Sequence, residues 1–133
     1  MRNEPKNEII EKILKNFKGK KYLSLINEIS TLIEEYPKSI FLLNVLGVVY
    51  NQLNNLDEAI LCFKKIIKID KNFADAYYNL GIIFKRMDRV DDAINNYNKC
   101  IKIKPNKFEA YNNVGNVYRE TNETQKAIDL LQN

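Results

Sequence analysis

The chain has 133 residues, of which 45% are hydrophobic and 29% charged, a composition typical of a globular protein with a continuous core. Its formal net charge of +4 comes from basic residues interspersed with acidic ones, so we expect no nucleic-acid partner. The sequence contains no run of about 18 apolar residues, the length that a membrane-spanning helix needs. The start "MRNEPKNEII" also lacks the apolar core of a signal peptide. Both observations predict a cytoplasmic protein without a membrane partner.

The residue types that most catalytic and metal sites need are scarce. The chain has no histidine, and Cys62 and Cys100 are isolated without metal-ligand spacing. No Gly-rich phosphate loop is present, and paired carboxylates such as Asp91 and Asp92 fall in a predicted turn. We therefore expect no enzyme activity, no cofactor and no metal.

The first predicted elements form a helix pair within residues 6–39. This segment follows the register of the later segments, with Ile13 where they have glycine and Leu25 where they have alanine. Pro37 closes it, because a helix cannot continue readily through proline. We interpret residues 6–39 as a degenerate first copy of a repeat.

Three further copies follow, at residues 40–73, 74–107 and 108–133. Glycines stand 34 residues apart at Gly47, Gly81 and Gly115, and such a fixed interval is the signature of a repeat architecture. The same interval separates the aromatics Tyr50, Phe84 and Tyr118, the alanines Ala59, Ala93 and Ala127, and the large residues Phe63, Tyr97 and Leu131.

Each copy is predicted to be a helix, a tight polar turn and a second helix. The first helices should run over about 41–54, 75–88 and 109–122, and the second should begin near 57, 91 and 125. Asp57 and Asp91 are the expected N-caps, since a carboxylate can accept the unpaired amides of a first turn. A helical glycine costs about 1 kcal/mol. We attribute Gly81 to close helix packing opposite a small alanine, around which larger residues interlock.

The middle copy resembles the tetratricopeptide repeat (TPR). The residues that carry the resemblance are Tyr77, Leu80, Gly81, Phe84, Ala93, Tyr97 and Pro105. In residues 40–73, Leu43 replaces the aromatic and Lys71 replaces the closing proline. Pentatricopeptide arrays have similar repeat lengths, but the Leu-Gly, aromatic and alanine series favours the TPR. The resemblance implies a single all-α domain over residues 1–133, a right-handed α-solenoid of antiparallel helix pairs.

The last copy, residues 108–133, ends within its predicted second helix and lacks the polar helix that usually shields the final repeat in this family. Three explanations stay open: the chain is part of a longer protein, the open face packs on another copy to give a homo-oligomer, or the open face is tolerated. We favour the first explanation.

The resemblance also implies a concave groove, lined by the first helix of each repeat, that binds an extended peptide or protein segment. The residues expected to line it are Asn44, Tyr78, Asn79, Lys85, Asn112, Asn113, Asn116 and Arg119. An asparagine amide can bind both polar groups of a peptide unit, whatever the ligand's side chains are. Asn79 and Asn113 are similar to the asparagine ladder of O-linked N-acetylglucosamine transferases, although a structural role for each asparagine stays open.

Two function classes follow from this groove. The first is a protein-interaction module or scaffold, and the alternative is the N-terminal substrate-positioning or oligomerisation domain of a larger TPR-linked transferase. The family's carboxylate clamp, which holds chaperone tails, is not matched, since only Asn79 agrees and Glu109 would repel the ligand. We therefore expect heat-shock chaperone tails not to bind.

Overall fold

The computed structural model describes residues 3–132, and every regular element in that range is a helix. The all-α fold of successive helix pairs, which the repeat predicts, is therefore confirmed. The helices are α1 (Asn7–Lys18), α2 (Tyr22–Glu35), α3 (Ile40–Gln52), α4 (Leu56–Ile69), α5 (Ala74–Arg86), α6 (Val90–Ile103) and α7 (Phe108–Gln132).

The turns inside the first three helix pairs share one backbone geometry. Lys20, Asn54 and Asp88, each 34 residues apart, have φ values of 57°, 63° and 57°. In each turn the next amide donates to a carbonyl five residues back, as from Asn55 to Tyr50 at 2.8 Å. This left-handed residue and long-range bond form the Schellman ending of a helix, which reverses the chain in very few residues.

The connections between repeats are equally periodic. The amides that follow α2, α4 and α6 each donate to a carbonyl four residues back at 2.8 Å. The connection after α4 keeps this geometry although Lys71 stands where the other two have Pro37 and Pro105. Proline at this position therefore restricts the chain without being required for the turn.

Residues up to Ala76 form one compact unit. Its core contains Ile13 and Leu25, so the two large residues that mark the degenerate first copy are both fully buried. Ser39 caps α3 by accepting the Leu42 amide at 3.1 Å, and its own hydroxyl donates to the Glu4 carboxylate. Through Glu4, the N-terminal segment thus holds in place the Ser39 side chain that caps the first turn of α3.

Residues from Tyr77 onward form the second compact unit. In it, α5 packs on α6 where Gly81 meets the Tyr97 ring, and a Cβ added to this glycine would lie 2.5 Å from the ring. Gly47 meets the Phe63 ring in the same way, at 2.7 Å. The predicted close approach is confirmed, but the glycine faces an aromatic ring of the second helix rather than an alanine.

Two details of the predicted helices are wrong. Asp57 and Asp91 are not N-caps but lie in the first turns of α4 and α6, which have Asn55 and Arg89 at the cap position. The Schellman turn reverses the chain sooner than we expected, so each second helix begins one residue before the aspartate. Both carboxylates still lie where the positive end of the helix dipole favours them.

The predicted turn within the last copy is also wrong, because α7 is one helix of 25 residues. The segment around the expected turn contains neither glycine nor proline after Gly115. Its side chains form bonds along a continuous helix, as between Gln125 and Asp129 at 3.0 Å. Because no tertiary contact among residues 3–132 requires a reversal, continuing the helix satisfies the backbone most simply.

Candidate functional site

Tyr78 of α5 is held by contacts from three other parts of the second unit. The Asn113 side-chain amide of α7 donates to its hydroxyl at 3.3 Å. The Tyr97 ring of α6 lies 6.0 Å away at a tilt of 57°, and the Lys107 ammonium lies 4.6 Å from the Tyr78 ring centre. These contacts fix the orientation of a half-buried aromatic side chain.

A cavity of about 280 Å³ opens beside this cluster, between α5 and α7. Its lining residues are Ile82, Lys85, Arg86, Tyr97, Asn113, Asn116, Val117 and Glu120. One wall is therefore apolar, and the others present amide and charged groups. Five of the eight lining residues are polar or charged, so this surface offers hydrogen-bonding groups beside a smaller apolar wall.

An ion pair lies in the wall of this cavity. The Lys85 ammonium lies 2.7 Å from the Glu120 carboxylate, and both side chains also line a second cavity of about 390 Å³. Arg119 donates to the side-chain oxygen of Asn116 at the surface. Lys85 and Glu120 thus neutralise each other at this surface.

Burial keeps the Tyr97 hydroxyl neutral. It raises the pKa of Tyr97 to about 12, assisted by the nearby Tyr78 and opposed by a hydrogen bond with Asn113. In the first unit, burial likewise raises the pKa of Cys62 to about 11. Neither group has the lowered pKa of a nucleophile.

The structure brings together four of the eight predicted groove residues: Tyr78, Lys85, Asn113 and Asn116. Arg119 joins them through Asn116, and Asn79 is half-buried on α5 next to Tyr78. Asn112 is exposed on α7 and does not line either cavity described above. Whether these residues bind a ligand stays a prediction.

Asn44 lies in the first unit, on α3. Its side chain is half-buried, and its Oδ1 atom is buried without a hydrogen-bond partner in the described part of the chain. A buried acceptor without a donor is unfavourable by about 1–3 kcal/mol.

Two features of the site have no signal in the amino-acid sequence. Lys107 was not expected near Tyr78, from which it is 29 residues distant, and nothing in the repeat pattern marks it. Tyr97 was expected only as a packing residue, yet it also forms part of the cavity wall. The 34-residue alignment of α5 with α7 could have suggested that Lys85 and Glu120 would pair.

Residues 3–132 lack both a metal-binding cluster and a helix that could cross a membrane. No group of three or more histidine, cysteine or acidic side chains is arranged to hold a metal ion in that range. Within the same residues, no helix combines the length and apolar character that crossing a membrane requires.

Solved structures of similar fold are TPR domains and related proteins. The first TPR of Spaghetti (RPAP3), solved with the HSP90 peptide SRMEEVD, has a TM-score of 0.79 and 22% identity over 84% of this chain and 88% of that chain. The Sgt2 TPR domain from Aspergillus fumigatus has a TM-score of 0.81 and 16% identity over 93% and 85%. MamA has a TM-score of 0.77 and 25% identity over 92% and 69%.

Among curated proteins, no sequence is similar enough to count as a match. Profiles of one family do match: a "TPR repeat" profile covers residues 47–88, and two "Tetratricopeptide repeat" profiles cover 74–107 and 96–129. Together these matches extend from Gly47 to Asp129, well over half of the chain. The chain therefore belongs to the tetratricopeptide repeat family.

Proposed function

We propose that this protein is an interaction module that binds an extended peptide segment of a partner on the α5–α7 surface. The observation that carries the proposal is the cluster of Tyr78 and Asn113 beside a cavity. An oriented aromatic ring offers contact area at low entropic cost, which is why tyrosine is frequent among residues that dominate binding energy. The RPAP3 domain of similar fold, solved with a peptide, supports this class of function.

Asn113 has the hydrogen-bonding groups that such binding needs. One side-chain N–H is donated to Tyr78, and Asn113 is also hydrogen-bonded to Tyr97, which leaves the side-chain carbonyl oxygen as an acceptor. Asn79 precedes it by 34 residues on α5, at the equivalent repeat position. First helices of adjacent repeats stand on the order of 10 Å apart. That spacing corresponds to about three residues of extended chain, so the two amides could bind every third peptide unit.

The charges favour a ligand without a dominant acidic group. Lys85 is paired with Glu120, so binding a ligand carboxylate there would require breaking an existing ion pair. We expect the peptide SRMEEVD, which the RPAP3 structure contains, to bind this protein only weakly. A Kd below about 10 µM for that peptide would contradict this expectation.

The proposal can be tested with a peptide selected from a phage-displayed library on the purified protein. Replacing both Asn79 and Asn113 with alanine should lower the affinity of the selected peptide at least about tenfold. The free energy of unfolding should change by less than about 1 kcal/mol, as is usual for surface substitutions.

The matched control replaces Asn95 and Asn98 with alanine, since these asparagines are exposed on α6 of the same unit. This control should leave the affinity unchanged. Equal affinities for the two double variants would exclude the α5–α7 surface as the binding site. A cytoplasmic location and the absence of enzyme activity stay predictions from the sequence.

A further inference from the structure

One face of α7 carries a row of large apolar side chains in contact with solvent. Phe108, Tyr111, Gly115 and Tyr118 follow a spacing of three, four and three residues, which places them on one side of a helix. We call these four residues the exposed stripe. Phe108 is 71% exposed, Tyr111 46% and Tyr118 49%.

The equivalent positions in the two preceding repeats are buried or half-buried, the half-buried ones being Ile40, Tyr50 and Tyr77. Leu43, at the position of Tyr111, is 2% exposed, and Phe84, at the position of Tyr118, is 6% exposed. Gly47 and Gly81 each lie against an aromatic ring, whereas no described atom outside α7's own neighbouring backbone lies within 4 Å of a Cβ built at Gly115. The exposed stripe thus repeats a contact surface that is occupied twice elsewhere in the chain.

The helices that cover the two earlier surfaces share a short pattern. In α4 a fully buried Ala59 is followed four residues later by Phe63, and in α6 a fully buried Ala93 is followed by Tyr97. The alanine allows close approach of the helices, and the ring fills the space above the glycine. The chemistry of a fitting occupant can therefore be taken from these two internal examples.

The matching segment of the last copy does not fill this role. It belongs to α7 itself, which continues without reversal, and Leu131 at the position of Tyr97 is 88% exposed. The exposed stripe lies on a different side of α7 from Val117, which is buried in the second unit and lines the cavities of the proposed peptide site. The two surfaces can therefore be tested independently.

We propose that the exposed stripe docks an amphipathic helix of a partner protein in which an alanine is followed four residues later by phenylalanine or tyrosine. The ring of that residue would rest on Gly115, as Tyr97 rests on Gly81. Phe108, Tyr111 and Tyr118 would contact the same helix along its length. Such a helix lying in an apolar groove is a recurring mode of peptide recognition.

The probe is a synthetic peptide with the sequence of α6, residues 90–103, and with acetylated and amidated ends. Fluorescence anisotropy with the full chain should show saturable binding. The backbone amide resonances of Gly115 and its stripe neighbours should shift on addition of the peptide. The same peptide with Tyr97→Ala should bind at least about tenfold more weakly, because it cannot fill the space above the glycine.

Gly115→Ala tests the site in the protein without harming the fold. A Cβ at Gly115 meets open space in the free chain, but a ring placed as in the earlier repeats would lie about 2.5–2.7 Å from it, by analogy with Gly81 and Gly47. The variant should therefore fold normally and bind the probe at least about tenfold more weakly. Gly19→Ala, where the nearest atom is at an ordinary 3.5 Å, is the matched control and should bind like the wild type.

Three results would overturn the proposal: no saturable binding at millimolar peptide, equal affinity of the wild type and Gly115→Ala, or a stripe already covered in the free protein. Coverage by a second copy would appear as a dimer in light scattering. Coverage by the chain's own residues 124–132 would appear as nuclear Overhauser contacts to Tyr111 or Tyr118. A peptide selected for the α5–α7 cavity should still bind Gly115→Ala, which separates this proposal from the proposed function.

Discussion

The repeated glycine is closely packed in one copy of the repeat, at Gly81, and faces open space in another, at Gly115, although the surrounding sequences are similar. At Gly81 the neighbouring helix is so close that a Cβ would overlap the Tyr97 ring, whereas at Gly115 the space is open. Glycine in a helix interior is unfavourable by about 1 kcal/mol relative to alanine. Packing compensates for that cost at Gly81, and nothing in the described chain does so at Gly115.

A pair of alanine substitutions tests this difference. Gly81→Ala should lower the free energy of unfolding by about 1–2 kcal/mol, because overpacking outweighs the gain in helix propensity. Gly115→Ala should raise the helix stability by up to about 1 kcal/mol, since only the propensity changes. Urea unfolding of both variants measures the effects, and a loss of stability in Gly115→Ala would show that the space is filled in solution.

At the scale of elements, one turn geometry determines where three of the helix pairs reverse. Asn54 and Asp88 adopt positive φ, which asparagine and aspartate tolerate better than β-branched residues do. Asn122 stands at the same repeat position, yet it lies inside α7. A residue suited to a turn therefore does not produce one unless the following helix gains contacts by reversing.

Valine substitutions distinguish an asparagine in a turn, Asn54, from an asparagine inside a helix, Asn122. Asn54→Val should lower the free energy of unfolding by about 1–2 kcal/mol, because a β-branched residue is strained in the left-handed region. Asn122→Val should change it by less than about 0.5 kcal/mol, since valine and asparagine have similar helix propensities. Thermal or urea unfolding measures both, and comparable losses in the two variants would mean that the chain also turns at Asn122.

At the scale of the whole molecule, each of the two compact units buries an ionisable group in neutral form. These are Cys62 in the first unit and Tyr97 in the second, whose pKa values burial raises to about 11 and about 12. A raised pKa means that the folded state holds the proton more tightly than the unfolded state does. Both groups therefore favour folding only while they are protonated.

This predicts an alkaline limit to stability. The free energy of unfolding should be constant with respect to these groups below about pH 9 and fall as the pH rises toward about 12. Tyr97→Phe keeps the ring on Gly81 but removes the ionisable hydroxyl, so its stability should fall less steeply over that range. Urea unfolding at several pH values measures the slopes, and identical slopes would contradict the assignment to Tyr97.

The sequence by itself determined the repeat and its helix pairs. The 34-residue interval places equivalent apolar residues on equivalent helix faces, and burying those faces requires stacking of successive helices. For the same reason the close packing at Gly47 and Gly81 could be predicted from the repeat, although the structure places the rings of Phe63 and Tyr97 opposite these glycines where an alanine was predicted. The same helix face is buried in each copy of the repeat, so the spacing of apolar residues along the sequence is enough to identify the buried faces.

Only the tertiary structure decided which copies complete a helix pair and which polar groups meet. Asn122 and Leu131 satisfy the repeat pattern, but α7 continues because no described contact stabilises a reversal there. The contacts of Tyr78 with Asn113 and Lys107 join side chains more than 25 residues apart. Such contacts depend on the side-chain conformations and distances that packing sets, and these cannot be read from spacing along the chain.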